Sequence, residues 1–341
     1  MPYTTDDIRN LALLGQAGAG KTLLSEALLH TAGVIPTAGE IARKNTVSDY
    51  DALEKEHQRS LVSSVMSFDF KDTHMNLIDT PGYSDFMGPA LSAMSAVETA
   101  VVVINAQNGI ETMTRRFMEL AKESNLCTAI VVNKIDLPNQ DLESVYSSIQ
   151  EEFGSECLAV NLPSDGGSSV VGCLFKGDGS PDFSSVDDAH TAIADQIVEV
   201  DEELMEQYLE DGELPDESIA PVFKQAMREG HLIPVCFASA QTGAGIEELL
   251  AVAEQLLPNP KEGNAAHLIF GDDETDTTTE LNSDATEEFV AHVFKVTMLN
   301  FVNLSQSYDI TSHHFRFISM LFTKHRKHVA DSNGFSGIPD V

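Results

Sequence analysis

The sequence predicts an α/β fold in which helices cover both faces of a mostly parallel sheet. Short apolar runs that are typical of buried strands alternate along the chain with stretches of helical periodicity. A glycine-rich loop separates the first such strand from the first helix, and further polar motifs directly follow later strands. Because ligands bind beyond the carboxyl ends of parallel strands, we expect these motifs to meet at one edge of the sheet.

The first strand is predicted at Leu11–Leu14, and the first helix contains the periodic apolar run Leu23–Leu29. The loop between them matches the phosphate-binding pattern Gly-x-x-x-x-Gly-Lys-Thr, although a plain glycine-rich turn is the alternative. Its glycines let backbone N–H groups face an anion, and the helix adds its positive N-terminal end. Lys21 is expected to reach the outer phosphates, and the Thr22 hydroxyl to bind Mg²⁺. The predicted nucleotide contacts are Gly15, Gln16, Ala17, Gly18, Ala19, Gly20, Lys21 and Thr22.

The region after the first helix is polar and lacks sustained periodicity between Thr31 and Ser60. Such a long connection is usually functional, although a plain surface loop is the alternative. Residues Val62–Phe70 alternate as in a half-buried strand, and Met75–Ile78 is predicted to be the next strand.

The second motif, Asp79-Thr-Pro-Gly82, follows that strand. A carboxylate at Asp79 is expected to hold Mg²⁺ through water. Gly82 is expected to turn its N–H toward the terminal phosphate. Alone, this tetrapeptide would equally suit an ordinary turn, so its position after a phosphate-binding loop is what favours a nucleotide site. The predicted contacts are Asp79, Thr80, Pro81 and Gly82.

The third motif lies beyond two more predicted strands, Ala100–Ile104 and Thr128–Val132, with a helix over Glu111–Ser124 between them. It reads Asn133-Lys-Ile-Asp136. A carboxylate at Asp136 can accept hydrogen bonds from N1–H and the amino group of guanine, which adenine does not offer, so GTP is favoured over ATP. Asn133 is expected to brace the loops and Lys134 to cover the base. A capping Asn or Asp after a strand is the alternative.

The fourth motif follows a predicted strand at Leu232–Phe237 and precedes a predicted helix near Gly245–Leu257. The small turn at Ser239 and Ala240 can offer backbone N–H groups to the guanine carbonyl. All four motifs then fall beyond the carboxyl ends of strands, which predicts a single nucleotide site.

The chain is longer than this site requires, and we divide it into four parts. Residues 1–260 are predicted to form the nucleotide-binding domain, in which about 154–230 are an inserted subdomain with an acidic helical half. Residues 261–285 are predicted to be an acidic linker. Residues 286–298 alternate like an opening β-strand, and 299–341 are an atypical tail that we expect to be disordered. A metal site at the tail's His313 and His314, or weak RNA binding by its basic cluster Lys324–His328, is the alternative.

The composition excludes several classes of protein. With 54 acidic and 20 basic residues the net charge is −34, which does not favour sequence-specific DNA as a partner. The four cysteines are scattered and form no Cys-x-x-Cys pair, as expected for reduced thiols in a cytoplasmic protein. No apolar run approaches membrane-spanning length, so no membrane association is expected.

The four motifs, their order and the insertion resemble the translational GTPase family of elongation factor G, and more closely its elongation factor G-like branch. The passages that carry the resemblance are Thr46–Asp51, Asn76–Phe86, Val131–Asp136, Glu202–Leu209 and Phe237–Gly245. The resemblance implies a P-loop GTPase domain with an insertion, followed by the start of a β-barrel domain. It also implies GTP and GDP as ligands, Mg²⁺ as cofactor, hydrolysis of GTP to GDP and phosphate, and the ribosome as a partner.

The resemblance assigns catalytic roles to Lys21, Gly82 and Tyr83, but the chain departs from the family at important positions. The family usually has His at position 83, which orients the attacking water, and a phenol is a poor general base near neutral pH. The family usually has a metal-binding Thr where this chain has Val62, which cannot bind a metal. Ser63 or Ser64 would substitute only with a shifted register, so weak closure of this loop on GTP is expected. The resemblance ends near residue 298, where the family's later domains would follow. A nucleotide-dependent binding or regulatory module with little hydrolysis, a truncated or degenerate factor, is therefore the alternative function.

Overall fold

The structure of the protein is a computed structural model. It describes residues 3–49, 51–174, 177–212, 214–264, 267–270, 277–280, 292–295, 297–298, 315–316 and 320–321.

The centre of the fold is a seven-stranded open sheet. Its strands are β1 (Ile8–Leu14), β2 (Ser64–Phe70), β3 (Thr73–Asp79), β4 (Thr99–Asn105), β5 (Cys127–Asn133), β6 (Cys157–Ala159) and β9 (Ile233–Ala238). The strands β7 (Asn161–Ser164) and β8 (Ser169–Gly172) pair with each other as a separate antiparallel hairpin. The order across the sheet is β2-β3-β1-β4-β5-β9-β6, and every pair is parallel except β2 with β3. The prediction of a mostly parallel sheet is confirmed.

Helices follow the strands as α/β alternation requires. They are α1 (Lys21–Thr31), α2 (Ala52–His57), α3 (Met87–Met94), α4 (Thr112–Glu123), α5 (Leu142–Phe153), α6 (Val186–Val198), α7 (Glu202–Asp211), α8 (Asp216–Glu229) and α9 (Ile246–Gln255). The helices α1, α8 and α9 pack on one face of the sheet, where Leu24 and Phe223 are fully buried. The helices α3 and α4 pack on the opposite face around Phe117, so the central strands are covered on both sides.

The central strands are apolar over most of their length because both of their faces are buried. Every residue of β4 is buried, and in β5 all residues except Thr128 are. Each parallel strand therefore brings its following loop to the same edge. That arrangement places the ends of β1, β3, β5 and β9 side by side.

The first residues of the predicted insertion form a strand of the main sheet. Strand β6 pairs with β9 and forms the sheet's edge, and the hairpin follows at once. The buried side chain of Asn161 joins the two, since its amide donates to the Phe237 carbonyl (3.1 Å) and its oxygen accepts from the Phe237 N–H (2.7 Å). Helices α6 and α8 then pack against the same core as α1.

The regions predicted to be irregular contain some regular structure. The short helix α2 lies within the polar stretch after α1. In the predicted linker, His267–Phe270 pairs with Thr277–Glu280, as suits a run of β-branched threonines. Two further short pairs join His292–Val293 to Met320–Leu321 and Thr297–Met298 to Phe315–Arg316.

Residues 292–295 contact the main domain. The Phe294 side chain is buried in the core beneath α3, and Lys295 Nζ donates a hydrogen bond to the Ser63 carbonyl. Burial lowers the pKa of Lys295. The tail features His313, His314 and Lys324–His328 lie outside the described residues. Among the described residues, no helix combines the length and apolar character needed to cross a bilayer.

Candidate functional site

The glycine-rich loop connects β1 to α1, and its conformation depends on glycine at position 20. Gly20 caps α1 with φ of 95°, in the left-handed region that costs L-residues about 1–2 kcal/mol. A Cβ at this position would lie 2.5 Å from the amide nitrogen of Asn133. The loop also contacts α4, because Gln16 Oε1 accepts from the N–H of Met113 (3.1 Å).

Lys21 lies over this loop. Its Nζ donates to the carbonyls of Gly15 (2.7 Å) and Gln16 (3.0 Å), and the residue is only 6% exposed. Burial lowers the pKa of Lys21 to about 8, and the nearby Asp79 carboxylate opposes this. The Lys21 ammonium therefore lies beside the loop backbone, whose N–H groups can bind an anion.

The carboxylate of Asp79, at the end of β3, meets the hydroxyl of Thr22. Thr22 Oγ1 donates to Asp79 Oδ2 (2.7 Å), whereas the buried Asp79 Oδ1 has no hydrogen-bond partner. Burial raises the pKa of Asp79 to about 6, against the opposing effects of the Thr22 hydroxyl and Lys21. A buried, unpaired carboxylate oxygen beside a hydroxyl suits a hard cation such as Mg²⁺, which prefers oxygen ligands and retains waters.

The residues after Asp79 pack closely on the glycine-rich loop. Thr80 Oγ1 donates to the Leu13 carbonyl (2.5 Å), and the Ala17 N–H donates to the Gly82 carbonyl (3.0 Å). A Cβ at position 82 would collide with the Lys21 ammonium and the backbone of Ala17, so only glycine fits this approach. Pro81 lies between them in the same buried turn.

Tyr83 follows this turn and is 44% exposed. The guanidinium carbon of Arg59 lies 5.4 Å from the centre of the Tyr83 ring, a distance at which a cation interacts favourably with an aromatic face. The phenol therefore lies at the rim of the site, against a cation from another segment.

The third motif is hydrogen-bonded directly to the glycine-rich loop. The Asn133 amide donates to the Ala19 carbonyl (2.9 Å), and its oxygen accepts from the N–H of Ala240 (3.1 Å). Lys134 Nζ donates to the Gly18 carbonyl (2.7 Å). The fully buried Asn133 thereby joins the loops that follow β1, β5 and β9.

The fourth motif is bound to Asp136. Ser239 Oγ donates to Asp136 Oδ1 (2.5 Å), and Ser239 Oγ accepts from the N–H of Thr242 (3.1 Å). Ser239 is fully buried. This contact orients the Asp136 carboxylate, and Ser239 binds only one of its two oxygens.

Sequence reasoning did not identify Ser60, although it expected the connection after α1 to be functional. The connecting segment, residues 46–49 and 51–64, runs from the loop after α1 to β2. Ser60 Oγ in this segment lies 3.2 Å from Thr22 Oγ1 and donates to Asp49 Oδ1 (2.9 Å). The Ser64 hydroxyl, one of the two expected substitutes, instead donates to the Ser48 carbonyl (2.7 Å). A polar Ser just before an apolar alternation gave no signal of this role.

A cavity of about 410 Å³ opens at the opposite edge of the sheet. It lies beside α4, α5 and α8, at the amino ends of β5 and β9, and is lined by Arg115, Lys122 and Arg228 among others. The four motifs all lie at the other edge, so the cavity is separate from the candidate site.

Comparisons with known proteins agree with this geometry. The family model of the elongation factor Tu GTP-binding domain matches residues 6–259. An elongation factor G-like protein of Mycobacterium tuberculosis is 34% identical over 271 residues, which are 75% of this chain and 38% of the relative. Peptide chain release factor 3 of Streptococcus agalactiae is 31% identical over 265 residues, 74% of this chain and 50% of the relative.

A solved structure is also similar. A crystal structure from Thermus thermophilus superposes with a TM-score of 0.72 at 29% identity, covering 86% of this chain and 44% of that one. The chain spans half or less of the length of each of these proteins. Because the family match includes all four motifs that the fold brings together, this chain belongs to the family of the elongation factor Tu GTP-binding domain, and hence to the translational GTPases.

Proposed function

We propose that this chain binds GTP with Mg²⁺ and hydrolyses the GTP to GDP and phosphate. The observation that carries the proposal is the set of direct hydrogen bonds between motifs that are far apart in sequence. Asn133 and Lys134 bond to the glycine-rich loop, and Ser239 bonds to Asp136. These bonds support a single site in which the glycine-rich loop would hold the phosphates and Asp136 would read the base.

The phosphate end of the site has distinct roles for its residues. Thr22 and Asp79 would hold the metal, because one offers a hydroxyl and the other a buried, unpaired carboxylate oxygen. Mg²⁺ bound there would neutralise charge on the phosphate oxygens. The Lys21 ammonium and the backbone N–H groups of the loop, including those of Gly18 and Gly20, would stabilise the charge that develops as water attacks the γ-phosphate. Closely packed Gly82 and the rim residue Tyr83 would flank that water.

The base end of the site is tested by changing Asp136 to Asn. A carboxylate accepts from the N1–H and amino group of guanine, whereas an asparagine amide instead matches the carbonyl of xanthine. We expect Asp136→Asn to lower GTP affinity by at least about 100-fold and to raise XTP affinity, since a site built for hydrogen bonds rejects a mismatched partner strongly.

The measurement is a titration of wild type and Asp136→Asn with GTP, XTP and ATP, each with excess Mg²⁺. Asp141→Asn is the matched control, since this exposed carboxylate caps α5 by accepting from the Ser144 N–H. If both variants bind GTP as wild type does, position 136 does not read the base.

A second candidate function is a nucleotide-dependent binding module with little hydrolysis. It is favoured by Tyr83, which stands where the family usually has a water-orienting His and whose ring packs against Arg59. Single-turnover hydrolysis of bound GTP distinguishes the two candidates. Cleavage that stays at the rate of free GTP, together with GTP-dependent protection of residues 79–86 from hydrogen exchange, would favour the binding module.

The names of the relatives also suggest an activator. Because elongation factor G-like proteins and peptide chain release factor 3 are named for translation, we propose the ribosome as a partner of this chain. The chain covers half or less of those proteins, so this step needs its own test. A GTP hydrolysis rate that rises when ribosomes are added supports it, and an unchanged rate argues against it.

A further inference from the structure

Two hydroxyl groups and two carboxylates from separate elements form a short chain at the metal end of the site. Thr22 Oγ1 lies 2.7 Å from Asp79 Oδ2 and 3.2 Å from Ser60 Oγ, which in turn lies 2.9 Å from Asp49 Oδ1. Asp49 and Asp79 are 3% and 1% exposed. The cluster therefore concentrates negative charge where water is largely excluded.

Both hydroxyl hydrogens of this cluster are donated to carboxylates. A hydroxyl carries one hydrogen and two lone pairs, and an ionised carboxylate only accepts. When Thr22 donates to Asp79 and Ser60 donates to Asp49, no hydrogen is left for the contact between the two hydroxyl oxygens. They then face each other with lone pairs, which a cation would stabilise.

The separation of these oxygens is compatible with two ligands of one hard cation. Neighbouring ligands of an octahedral Mg²⁺, at metal–oxygen distances of about 2.1 Å, lie about 3.0 Å apart. The observed 3.2 Å between Thr22 Oγ1 and Ser60 Oγ is close to this value. The buried Asp79 Oδ1, which makes no hydrogen bond, is a further oxygen of this cluster that a cation would stabilise.

We propose that Ser60 is the ligand that the connecting segment supplies to Mg²⁺ in the GTP complex, with Asp49 orienting the Ser60 hydroxyl. The proposal rests on the proposed function, because the metal arrives with the nucleotide. It replaces the expectation that Ser63 or Ser64 takes over from the family's threonine. The ligand from the connecting segment thus lies two residues before the position of the family's threonine.

Glu54 explains why position 60 rather than position 62 faces the metal. The Glu54 side chain is 1% exposed, and its Oε1 accepts from the N–H groups of Leu61 (2.9 Å) and Val62 (3.2 Å). These bonds fix the backbone just after Ser60, and the Val62 side chain is 39% exposed. Ser64 is turned to the Ser48 carbonyl. The segment therefore presents the Ser60 hydroxyl to Thr22, whereas the Ser64 hydroxyl is used elsewhere.

The test compares Ser60→Ala with Ser64→Ala, two hydroxyl deletions in one segment. The affinity of a non-hydrolysable GTP analogue is measured as a function of Mg²⁺ concentration, using a fluorescent form of the analogue. For Ser60→Ala we expect half-saturation to need at least about 10-fold more Mg²⁺, the scale seen when groups around a metal are removed. Ser64→Ala and the conservative Ser60→Thr should remain within about twofold of wild type on that scale.

A second variant keeps the test decisive if Ser60→Ala weakens folding. Ser60→Cys retains the size of the side chain but offers sulfur, which prefers softer metals. With the same analogue, Ser60→Cys should lose Mg²⁺ affinity while gaining affinity for Cd²⁺ relative to wild type. A purely structural role for Ser60 would not change the metal preference.

The outcomes separate this proposal from the proposed function. If wild type binds the analogue in a Mg²⁺-dependent manner but Ser60→Ala matches Ser64→Ala, Ser60 is not a ligand and the proposal is overturned alone. An unaltered Cd²⁺ preference in Ser60→Cys overturns it likewise. If wild type binds no guanine nucleotide at any Mg²⁺ concentration, the proposed function fails and this proposal fails with it.

Discussion

The glycine-rich loop and the connecting segment meet at the same metal end of the site, but they are shaped by different forces. The loop, Gly15–Thr22, depends on its own glycines, above all on the left-handed Gly20 at the start of α1, and Asn133 and Lys134 also bond to its carbonyls. The connecting segment is held by buried carboxylates, Glu26 of α1 and Glu54 within the segment. A local motif is thus sufficient to predict the loop, whereas the segment's register depends on side-chain contacts that follow no local motif.

Two glutamates hold the connecting segment and the residues before it. Glu26 of α1 is 1% exposed, and its two oxygens accept from the N–H groups of Gly39 (2.8 Å) and Val47 (2.5 Å). Glu54 holds Leu61 and Val62 in the same way. Hydrogen bonds from charged groups are stronger than neutral ones, so these contacts fix a segment that has little regular structure.

The largest effect is expected in the loop, from Lys21→Ala. The substitution removes a buried ammonium from the phosphate end, and GTP affinity should fall about 10- to 100-fold, as for loss of charged hydrogen bonds. Hydrolysis should fall to the rate of free GTP. Nucleotide titration and phosphate release measure both quantities. The exposed Lys122, at the opposite edge of the sheet, provides the control Lys122→Ala. Equal losses in both variants would mean that net charge, and not position, determines binding.

An intermediate effect is expected from Gly20→Ala, which tests whether the loop depends on its own backbone. The left-handed φ and the nearby Asn133 amide both oppose a Cβ, so the free energy of unfolding should fall by at least about 1–2 kcal/mol, with weaker GTP binding. Gly88→Ala is the matched control, because Gly88 lies in α3 with no atom within 4 Å of an added Cβ. Denaturant unfolding measures both variants. Two neutral substitutions would contradict the role given to the loop backbone.

A smaller effect is expected in the connecting segment, from Glu54→Ala. Removing the carboxylate leaves two N–H groups without their partner, so the free energy of unfolding should fall by about 1–3 kcal/mol. Hydrogen exchange at residues 61 and 62 should become faster. The exposed Glu56 on the same short helix provides the control Glu56→Ala. Unchanged exchange in Glu54→Ala would show that the segment keeps its register by other means.

The difference between the glycine-rich loop and the connecting segment also determines what could be predicted from the sequence. The central strands could be predicted because β4 and β5 contain the apolar runs Ala100–Ile104 and Ala129–Val132, and the loop because its glycines and lysine follow a fixed spacing. The hydroxyl of Ser60 could not be predicted, since its position follows from hydrogen bonds of the buried Glu54 and Asp49 to residues 7 and 11 positions away, a spacing that matches no motif.

Elements with weak periodicity were also difficult to predict. Strand β6 is too short to stand out, and it joins the sheet only because β9 offers a free edge to a short apolar run. The threonines at 277–280 pair with residues 267–270 within a stretch that composition alone identifies as a linker. In both cases pairing with another strand, which local sequence does not reveal, determines the structure.

The central claim is that four separate motifs form one guanine nucleotide site. Isothermal titration of the wild-type protein with GDP and with ADP, both with excess Mg²⁺, tests it most directly. GDP should bind at least about 100-fold more tightly than ADP, because only guanine offers two donors to Asp136. Equal affinities for the two nucleotides, or no measurable binding of GDP to folded protein, would contradict it.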